Sequence, residues 1–335
     1  MKTFSIIIPV YNGHDVIGRA LDSIYSQGLV NEDFEVICVD DCSPTMDTWD
    51  TLNSYTYNGV HPSNLILKRH EVNKRQGAAR NTAFRYAEGE WILYLDADDC
   101  FVENSLGKLQ DKLLNFSGCD CIMFDYQEVT SPNGLIRYSI YAEKNLEVET
   151  IMSGGEFIQR YPIPWTPWLY AYKAEFLSKH QVFFVEKVRF EDADYVMKCT
   201  LLAERMVFVP LDVVAYFINY GSTTTIGNSL EKITELFKSS LRRKNIAESF
   251  ILSDKAAAMA AMAQHIFHYH SLLVRYLWRL KYYAIVNILD KYPPYESSND
   301  KLINFTRKHP RVYAALAQVA RPFLLAAVWL KNKLK

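Results

Sequence analysis

The stretch WILYLDADD (91–99) opens as an uninterrupted apolar run and closes on three carboxylates in four residues, Asp96, Asp98 and Asp99. A short run of this kind, bounded by Gly89 and an acidic turn, predicts a strand buried on both faces of a parallel sheet. The pattern repeats upstream. FSIIIPV (4–10), FEVICVD (34–40) and NLILKRH (64–70) are further strands, and EWILYLD (90–96) is the fourth. Between them lie HDVIGRALDSIYSQ (14–27), with Val16, Ile17, Ala20, Leu21 and Ile24 at helical spacing, TMDTWDTLNSY (45–55), and QGAARNTAFRYAEG (76–89). Strict β-α-β-α-β-α-β order predicts an α/β, Rossmann-like, mostly parallel sheet with flanking helices.

Past residue 100 the pattern loosens. CDCIMFDYQEV (119–129) and LIRYSIY (135–141) flank a Ser-Pro-Asn-Gly turn and predict a hairpin. Residues 153–180, rich in Gly, Pro, Trp and Tyr, are expected to be loops lining a cleft. RFEDADYVMKCTLLAE (189–204) returns to helical period, RMVFVP and VVAYFINY are expected strands, and everything beyond about Asn228 reads helical. The boundary is placed near residue 225. It divides a catalytic region, 1–225, from a C-terminal helical region, 226–335.

Composition bounds the function. With 335 residues, 49% of them hydrophobic, the chain can bury one large core and an appended piece. A net charge of -1 argues against a nucleic-acid partner. The six cysteines show no C-x-x-C pair, as expected of reduced thiols in a cytoplasmic protein. Pro9 and the polar residues after it argue against a signal peptide, and no window reaches the ~18 apolar residues of a membrane span.

The carboxylates sit where chemistry is expected. In open parallel sheets ligands bind beyond the carboxyl ends of the strands. Asp40 and Asp41 follow the second strand, Asp96, Asp98 and Asp99 follow the fourth, and Pro9-Val10-Tyr11-Asn12-Gly13 ends the first. Neighbouring strand ends lie only about 5 Å apart. Clustered carboxylates repel one another unless a cation joins them, and Mg²⁺ or Mn²⁺ takes one or two carboxylates together with substrate phosphates. A plainer account, that Asp98 and Asp99 cap the next helix, fits an isolated pair better than this set.

Five segments in order carry a resemblance: SIIIPVYNG (5–13), VDDCSPT (39–45), NKRQGAARNTAFRYAEGEWILYLDADD (73–99), RFEDADY (189–195) and AYFINYGSTTT (215–225). Together the chain resembles a family 2 glycosyltransferase of the nucleotide-diphospho-sugar transferase superfamily, over about residues 3–225. The resemblance implies a GT-A fold, with residues 1–100 as nucleotide-binding half and 101–225 as acceptor-binding half. It implies that Pro9, Tyr11 and Asn12 form the first nucleotide-facing loop. Asp41, with Asp40, is expected to read the base or ribose. Asp96-Ala97-Asp98 is the DxD motif, with Asp98 the preferred ligand of Mn²⁺ or Mg²⁺ and Asp96 near the ribose or a metal-bound water. Cys42 stands where many relatives carry Gly. Arg80 is read either as a cation for the pyrophosphate or as a salt-bridge partner of an aspartate, and Lys74 as a solvated loop charge.

Sugar transfer to a hydroxyl needs a base for the acceptor proton. Asp192 is the candidate, with Glu191 as its neighbour or an acceptor contact; a helix cap is the structural alternative. Trp165, Trp168 and Tyr170 are candidates for stacking on the acceptor sugar or for core packing. His265, His268 and His270 are not expected to bind metal. HPRVYAALAQVARPFLLAAVWLKNKLK (309–335) aligns Val312, Leu316, Val319 and Phe323 on one stripe, with Arg311, Gln318 and Arg321 on another. Pro310 is expected to start this helix and Pro322 to kink or restart it. From Lys301 onward there are eight Lys/Arg and no Asp or Glu. Such a tail suits a peripheral contact with the inner face of an anionic membrane, or packing on the catalytic region or a second copy in a homodimer.

The implied activity is metal-dependent, inverting transfer from a nucleotide-diphospho-sugar, UDP-sugar favoured, to a glycan or lipid-linked acceptor in bacterial surface polysaccharide biosynthesis. Two alternatives stand beside it. A sugar-phosphate nucleotidyltransferase would want a Gly-rich basic loop after the first strand, which PVYNGHD does not supply. A catalytically silent homologue scaffolding a membrane assembly complex would not need the intact acidic pairs.

Overall fold

The computed structural model describes residues 2–131, 134–138, 146–218, 229–293 and 300–333. Two compact units divide the chain, Met1–Ser222 and Thr223–Lys335.

In the first unit, β1 (Phe4–Val10), β2 (Phe34–Asp40), β3 (Leu65–Arg69) and β4 (Trp91–Tyr94) lie parallel in the order β3-β2-β1-β4. β1 and β2 are buried at every position, as their continuous apolar sequences require. Helices α1 (Ile17–Tyr25), α2 (Asp47–Ser54) and α3 (Arg75–Phe84) make the connections. Pairing of β1 with β4 ends at Ile7↔Tyr94. Pro9, which has no N–H to give, therefore lies beyond that ladder and costs it no bond.

The second half was less legible. β5 (Cys100–Phe101) and α4 (Ser105–Asn115) precede the hairpin of β6 (Cys121–Ser131) and β7 (Gly134–Tyr138); residues 139–141 of the expected hairpin lie outside the described ones. The stretch 153–180, expected as loops, contains α5 (Gly154–Arg160), β8 (Tyr170–Lys173) and α6 (Ala174–Lys179). Ser153 and Glu156 close a reciprocal capping box at the start of α5. β8 inserts antiparallel between β4 and β6, so Tyr170, Ala171 and Tyr172 are core. After α7 (Glu191–Leu202) comes β9 (Met206–Phe217), one strand where two were expected. Its register against β6 shifts between Met123 and Asp125, opposite Pro210, which cannot donate to a ladder. Among the described residues the sheet is thus mixed and nine-stranded, in the order β3-β2-β1-β4-β8-β6-β9-β5 with β7 beside β6. The Ser-Thr-Thr-Thr motif of the resemblance lies outside the described residues.

The second unit contains α8 (Leu230–Ser249), α9 (Lys255–Arg275), α10 (Tyr282–Lys291), α11 (Lys301–Lys308) and α12 (Pro310–Lys333). Its core gathers Phe237, Tyr269, Leu273, Trp278, Ile285 and Ile288 with Ala314 and Ala317 of α12. α12 begins at Pro310 as expected but runs on through Pro322 without a restart. It turns its small residues inward, while Val312, Leu316 and Val319 are 50%, 56% and 70% exposed. The side chains of Phe323, Trp329, Lys331, Lys333 and Lys335 lie outside the described set. Among the described residues no helix is long and apolar enough to cross a membrane.

Candidate active site

Three strand ends meet at one edge of the sheet. Beyond β1, Asn12 takes a positive φ of 52° and donates its N–H to Ser43 Oγ at 2.8 Å, while the Gly13 N–H reaches Thr48 Oγ1 at 3.1 Å. A Cβ at Gly13 would sit 3.0 Å from Val10 Cγ1 and 3.8 Å from Ala97 Cβ. The β1 loop is therefore pressed against the loop after β4 and pinned to the one after β2. Tyr11 stands out from it, 53% exposed, with a ring face open to a planar ligand.

The two aspartates after β2 have separate tasks. Asp40 is fully buried and spent inside the protein: Oδ1 accepts from Ser43 N–H at 3.0 Å and Ser43 Oγ at 2.5 Å, and Oδ2 pairs with Arg69 Nε at 3.0 Å. It shapes the loop after β2. Asp41 Oδ1 accepts from Lys74 N–H at 2.8 Å and lies 2.7 Å from His70 Nδ1. Its Oδ2 is buried with no hydrogen-bond partner. Cys42 has a φ of 59°. A side chain thus occupies a left-handed turn that glycine would enter without strain.

The β4 loop sorts its three carboxylates by exposure. Asp96 and Asp98 are part-exposed, and Asp99 is 1% exposed. Asp99 Oδ1 accepts the Phe217 N–H at 2.8 Å, tying the loop to the end of β9. Arg19 of α1 lies 3.8 Å from the Phe217 ring centroid and donates to the Asp98 carbonyl at 2.6 Å. Burial, and then the charges of Asp96 and Asp98, push the Asp99 carboxyl well above its ordinary value. Asp99 is a structural residue here.

Across the site, α7 begins with Glu191 and Asp192 directly after Phe190, which is forced to a φ of 61°. A bulky residue in that region is strained. No side chain caps this helix end; the acidic residues instead occupy its first turn, where the helix dipole favours negative charge. The Asp192 side chain is 27% exposed and Glu191 only 1%. Asp192 thus presents surface to solvent and Glu191 almost none.

Arg80 joins the two sides. Fully buried on α3, it donates from Nη1 to Asp192 Oδ1 at 2.5 Å and from Nη2 to Asp96 Oδ1 at 2.7 Å, with Glu191 Oε1 at 3.6 Å. Its guanidinium carbon lies 5.1 Å from the centre of the Phe184 ring. Of the two expectations for Arg80, the salt-bridge partner is what the geometry displays; its hydrogen-bonding groups on this face are taken by carboxylates. Burial opposes the Arg80 charge, but Asp192, Asp96 and Glu191 outweigh it and hold its pKa above the ordinary value. For Asp192, burial raises the carboxyl first, Arg80 opposes it, and Glu191 and Asp96 add to the rise, leaving it near about 8. Glu191 is raised by burial too, against the pull of Arg80.

Sequence reading missed Asn81 and the constraint on Gly77. Asn81 grips the backbone of Phe184 twice, Nδ2 to O and Oδ1 from N–H, both at 2.9 Å. A Cβ on Gly77 would fall 3.0 Å from both Glu191 Cγ and Val185 O. α3 is clamped to the segment that carries the acidic pair. The signal was present in Gln76-Gly77-Ala78-Ala79-Arg80-Asn81, but its partners lie over 100 residues away.

Other expected residues fall elsewhere. Trp168 and Tyr170 are 6% and 1% exposed, and Trp168 stacks on Tyr216 at 5.6 Å; both are core. Trp165 is part-exposed. His265 and His268 have pKa values lowered by burial and by Arg243, and His270 pairs with Asp300 at 2.6 Å. No group of three or more His, Cys, Asp or Glu is arranged to hold a metal among the described residues. Asp96 and Asp98 form a two-carboxylate, solvent-open set. That fits an Mg²⁺ or Mn²⁺ whose other ligands come from phosphate and water rather than a protein cage.

A poly(ribitol-phosphate) beta-glucosyltransferase of Bacillus spizizenii is 44% identical over 97 residues, 28% of this chain and 14% of that protein. The poly(ribitol-phosphate) beta-N-acetylglucosaminyltransferase TarS of Staphylococcus aureus is 28% identical over 208 residues, 62% of this chain and 34% of that protein. The chain thus spans about a third or less of the length of these curated relatives. The crystal structure of S. aureus TarS 1-349 with UDP-GlcNAc superposes with a TM-score of 0.72 at 19% identity, covering 96% of this chain and 91% of that one. A Pyrobaculum calidifontis mannosyltransferase solved with GDP-Man and Mn²⁺ gives 0.54 at 19% identity, over 95% and 86%. Residues 5–160, a little under half of the chain, match the model of Glycosyl transferase family 2, and the sheet around them has the GT-A fold of the solved neighbours.

Proposed function

We propose that this chain is an inverting, metal-dependent glycosyltransferase. It moves a sugar from a nucleotide-diphospho-sugar, UDP-sugar favoured, to a hydroxyl of a glycan or lipid-linked acceptor in bacterial surface polysaccharide assembly. One observation carries the reading: Arg80 bridges Asp96 on the donor side and Asp192 on the acceptor side. A carboxylate suited to general-base work is thereby held beside the loop that suits a diphosphate. The curated relatives, named as transferases of glucose and N-acetylglucosamine to poly(ribitol-phosphate), support the substrate class.

In the reaction, the acceptor hydroxyl oxygen attacks the anomeric carbon from the side opposite the diphosphate. Its proton passes to Asp192, the bond from the anomeric carbon to the diphosphate oxygen breaks, and that oxygen keeps the electron pair. Asp98 with Asp96 would hold the divalent ion, which supplies charge neutralisation on the departing diphosphate. Tyr11 and Asp41 face the base; Arg80 fixes Asp192 and keeps its carboxyl from climbing further out of the useful range. Asp192→Asn keeps the shape and removes the base. Turnover falls more than about 10²-fold with nucleotide binding intact by calorimetry, and unimpaired transfer by that variant would dismiss the assignment.

The exposed stripe of α12 supports a peripheral membrane contact, since the flanking sequence is basic and free of carboxylates. Full-length protein should co-sediment with vesicles containing anionic lipid, and a Val312→Ser, Leu316→Ser, Val319→Ser variant should stay in the supernatant. Wild-type protein that never sediments would end this idea.

A further inference from the structure

We propose that His70 is a positioning residue that sets base selectivity by filling one oxygen of Asp41. The inference rests on the donor-site assignment above. His70 follows β3 and is 8% exposed. Its Nδ1 lies 2.7 Å from Asp41 Oδ1, and its Nε2 lies 2.9 Å from Thr82 Oγ1 on α3. A carboxylate can only accept, so Nδ1 carries the hydrogen; Nε2 then accepts from the Thr82 hydroxyl, and a neutral imidazole is satisfied at both ends. The tautomer follows from these partners rather than from a located hydrogen.

The consequence lies on Asp41. Each carboxylate oxygen offers about two acceptor sites. On Oδ1 both are taken, one by His70 Nδ1–H and one by Lys74 N–H at 2.8 Å. The carboxylate is further fixed through its backbone, with Asp41 N–H donating to Val10 O at 2.8 Å and Asn73 Nδ2 to Asp41 O at 3.1 Å. Only Oδ2, buried and without a hydrogen-bond partner, still seeks a donor.

A single acceptor oxygen matches a single ring N–H. Uracil and thymine present that edge, one N3–H between two carbonyls. Guanine presents N1–H and N2–H side by side, which a carboxylate reads with both oxygens. Adenine and cytosine present a ring nitrogen that accepts, which a carboxylate oxygen repels. By occupying Oδ1, His70 turns a carboxylate able to read two edges into a reader of one.

The test uses the full chain with Mn²⁺ and measures UDP, GDP and CDP binding by calorimetry. Wild type should bind UDP best. His70→Leu should lose about tenfold in UDP affinity, from one mispositioned hydrogen bond to a charged group. It should also move the UDP-to-GDP ratio toward GDP, because Oδ1 is released. His70→Asn, which keeps an amide N–H at the place of Nδ1, should restore the wild-type ratio. Thr82→Val, which perturbs the ring only at its far nitrogen, should shift the ratio in the same direction by a smaller factor and serves if the Leu variant does not fold. A UDP-to-GDP ratio unchanged in both His70→Leu and Thr82→Val overturns the role of His70 and leaves the donor-site assignment standing, as does a wild type that prefers GDP. Failure of the wild type to bind any of the three nucleotides overturns both.

Discussion

Replacing Arg80 by Gln removes a cation shared by Asp96, Asp192 and Glu191. Two unit charges about 4 Å apart interact by about 4 kcal/mol at an effective dielectric near 20. Asp192 keeps 27% of its side chain in solvent, which discounts that to about 1–3 kcal/mol, or about one to two pKa units. The Asp192 carboxyl already stands near about 8, so the variant's acid limb should move up by that amount. At pH 7 kcat should fall roughly 10–100-fold and recover as the pH is raised toward 10. The assay is kcat against pH at saturating donor and acceptor. Leaving buried carboxylates without their cation costs about 3–5 kcal/mol, so both proteins must be assayed below the variant's thermal transition. Arg80→Lys should return the limb part of the way, since it keeps the charge but not the two-pronged fork. An acid limb at the same pH in wild type and Arg80→Gln would refute the electrostatic account, and a loss equal at every pH would show that Arg80 acts through geometry alone.

Two further substitutions probe the surrounding frame. Cys42→Gly should stabilise the protein by about 1 kcal/mol, read from denaturant midpoints, because the left-handed turn at φ 59° penalises a side chain; no gain would mean that the Cys42 contact to the Glu71 carbonyl at 3.3 Å offsets the strain. For Asp99, the folded pKa is raised, so between the ordinary carboxyl value and the raised one the native state holds a proton that the unfolded chain has released. Stability contributed by this group is complete at low pH and lost as pH rises through that window; Asp99→Asn should flatten this slope in unfolding experiments run from pH 4 to 9, and a slope unchanged from wild type would place the titration elsewhere.

The first half of the fold was legible because β1, β2 and β4 are mostly apolar runs, interrupted by Ser5, Glu35 and Asp40, whose polar atoms find partners such as Lys2, the Glu88 N–H and Arg69. β5 and β8 span two and four residues, and each owes its existence to a distant partner, Val214–Ala215 for one and Ile122 with Ile92 for the other. No local period announces such strands. At the site, residue type and order identified the carboxylates but not their division of labour. Asp99 and Glu191 differ from Asp98 and Asp192 in burial, and Asp40 differs from the equally buried Asp41 in its partners, Ser43 and Arg69 rather than His70 and the Lys74 N–H. The aromatic run 165–170 stayed open between two readings for the same reason: an exposed stacking platform and a core-facing strand have the same composition.

The clamp between α3 and residues 184–192 limits how this architecture can be recombined. A chimera that imports a relative's acceptor half while keeping the native α3 would meet Asn81 with an unmatched backbone, Gly77 with an unmatched contour and Arg80 with orphaned carboxylates. Exchange of acceptor preference between such enzymes therefore has to transplant the 76–81 helix turn together with the distant segment. Crossover points chosen at the visible midpoint of the chain would cut through a unit that the polypeptide order conceals.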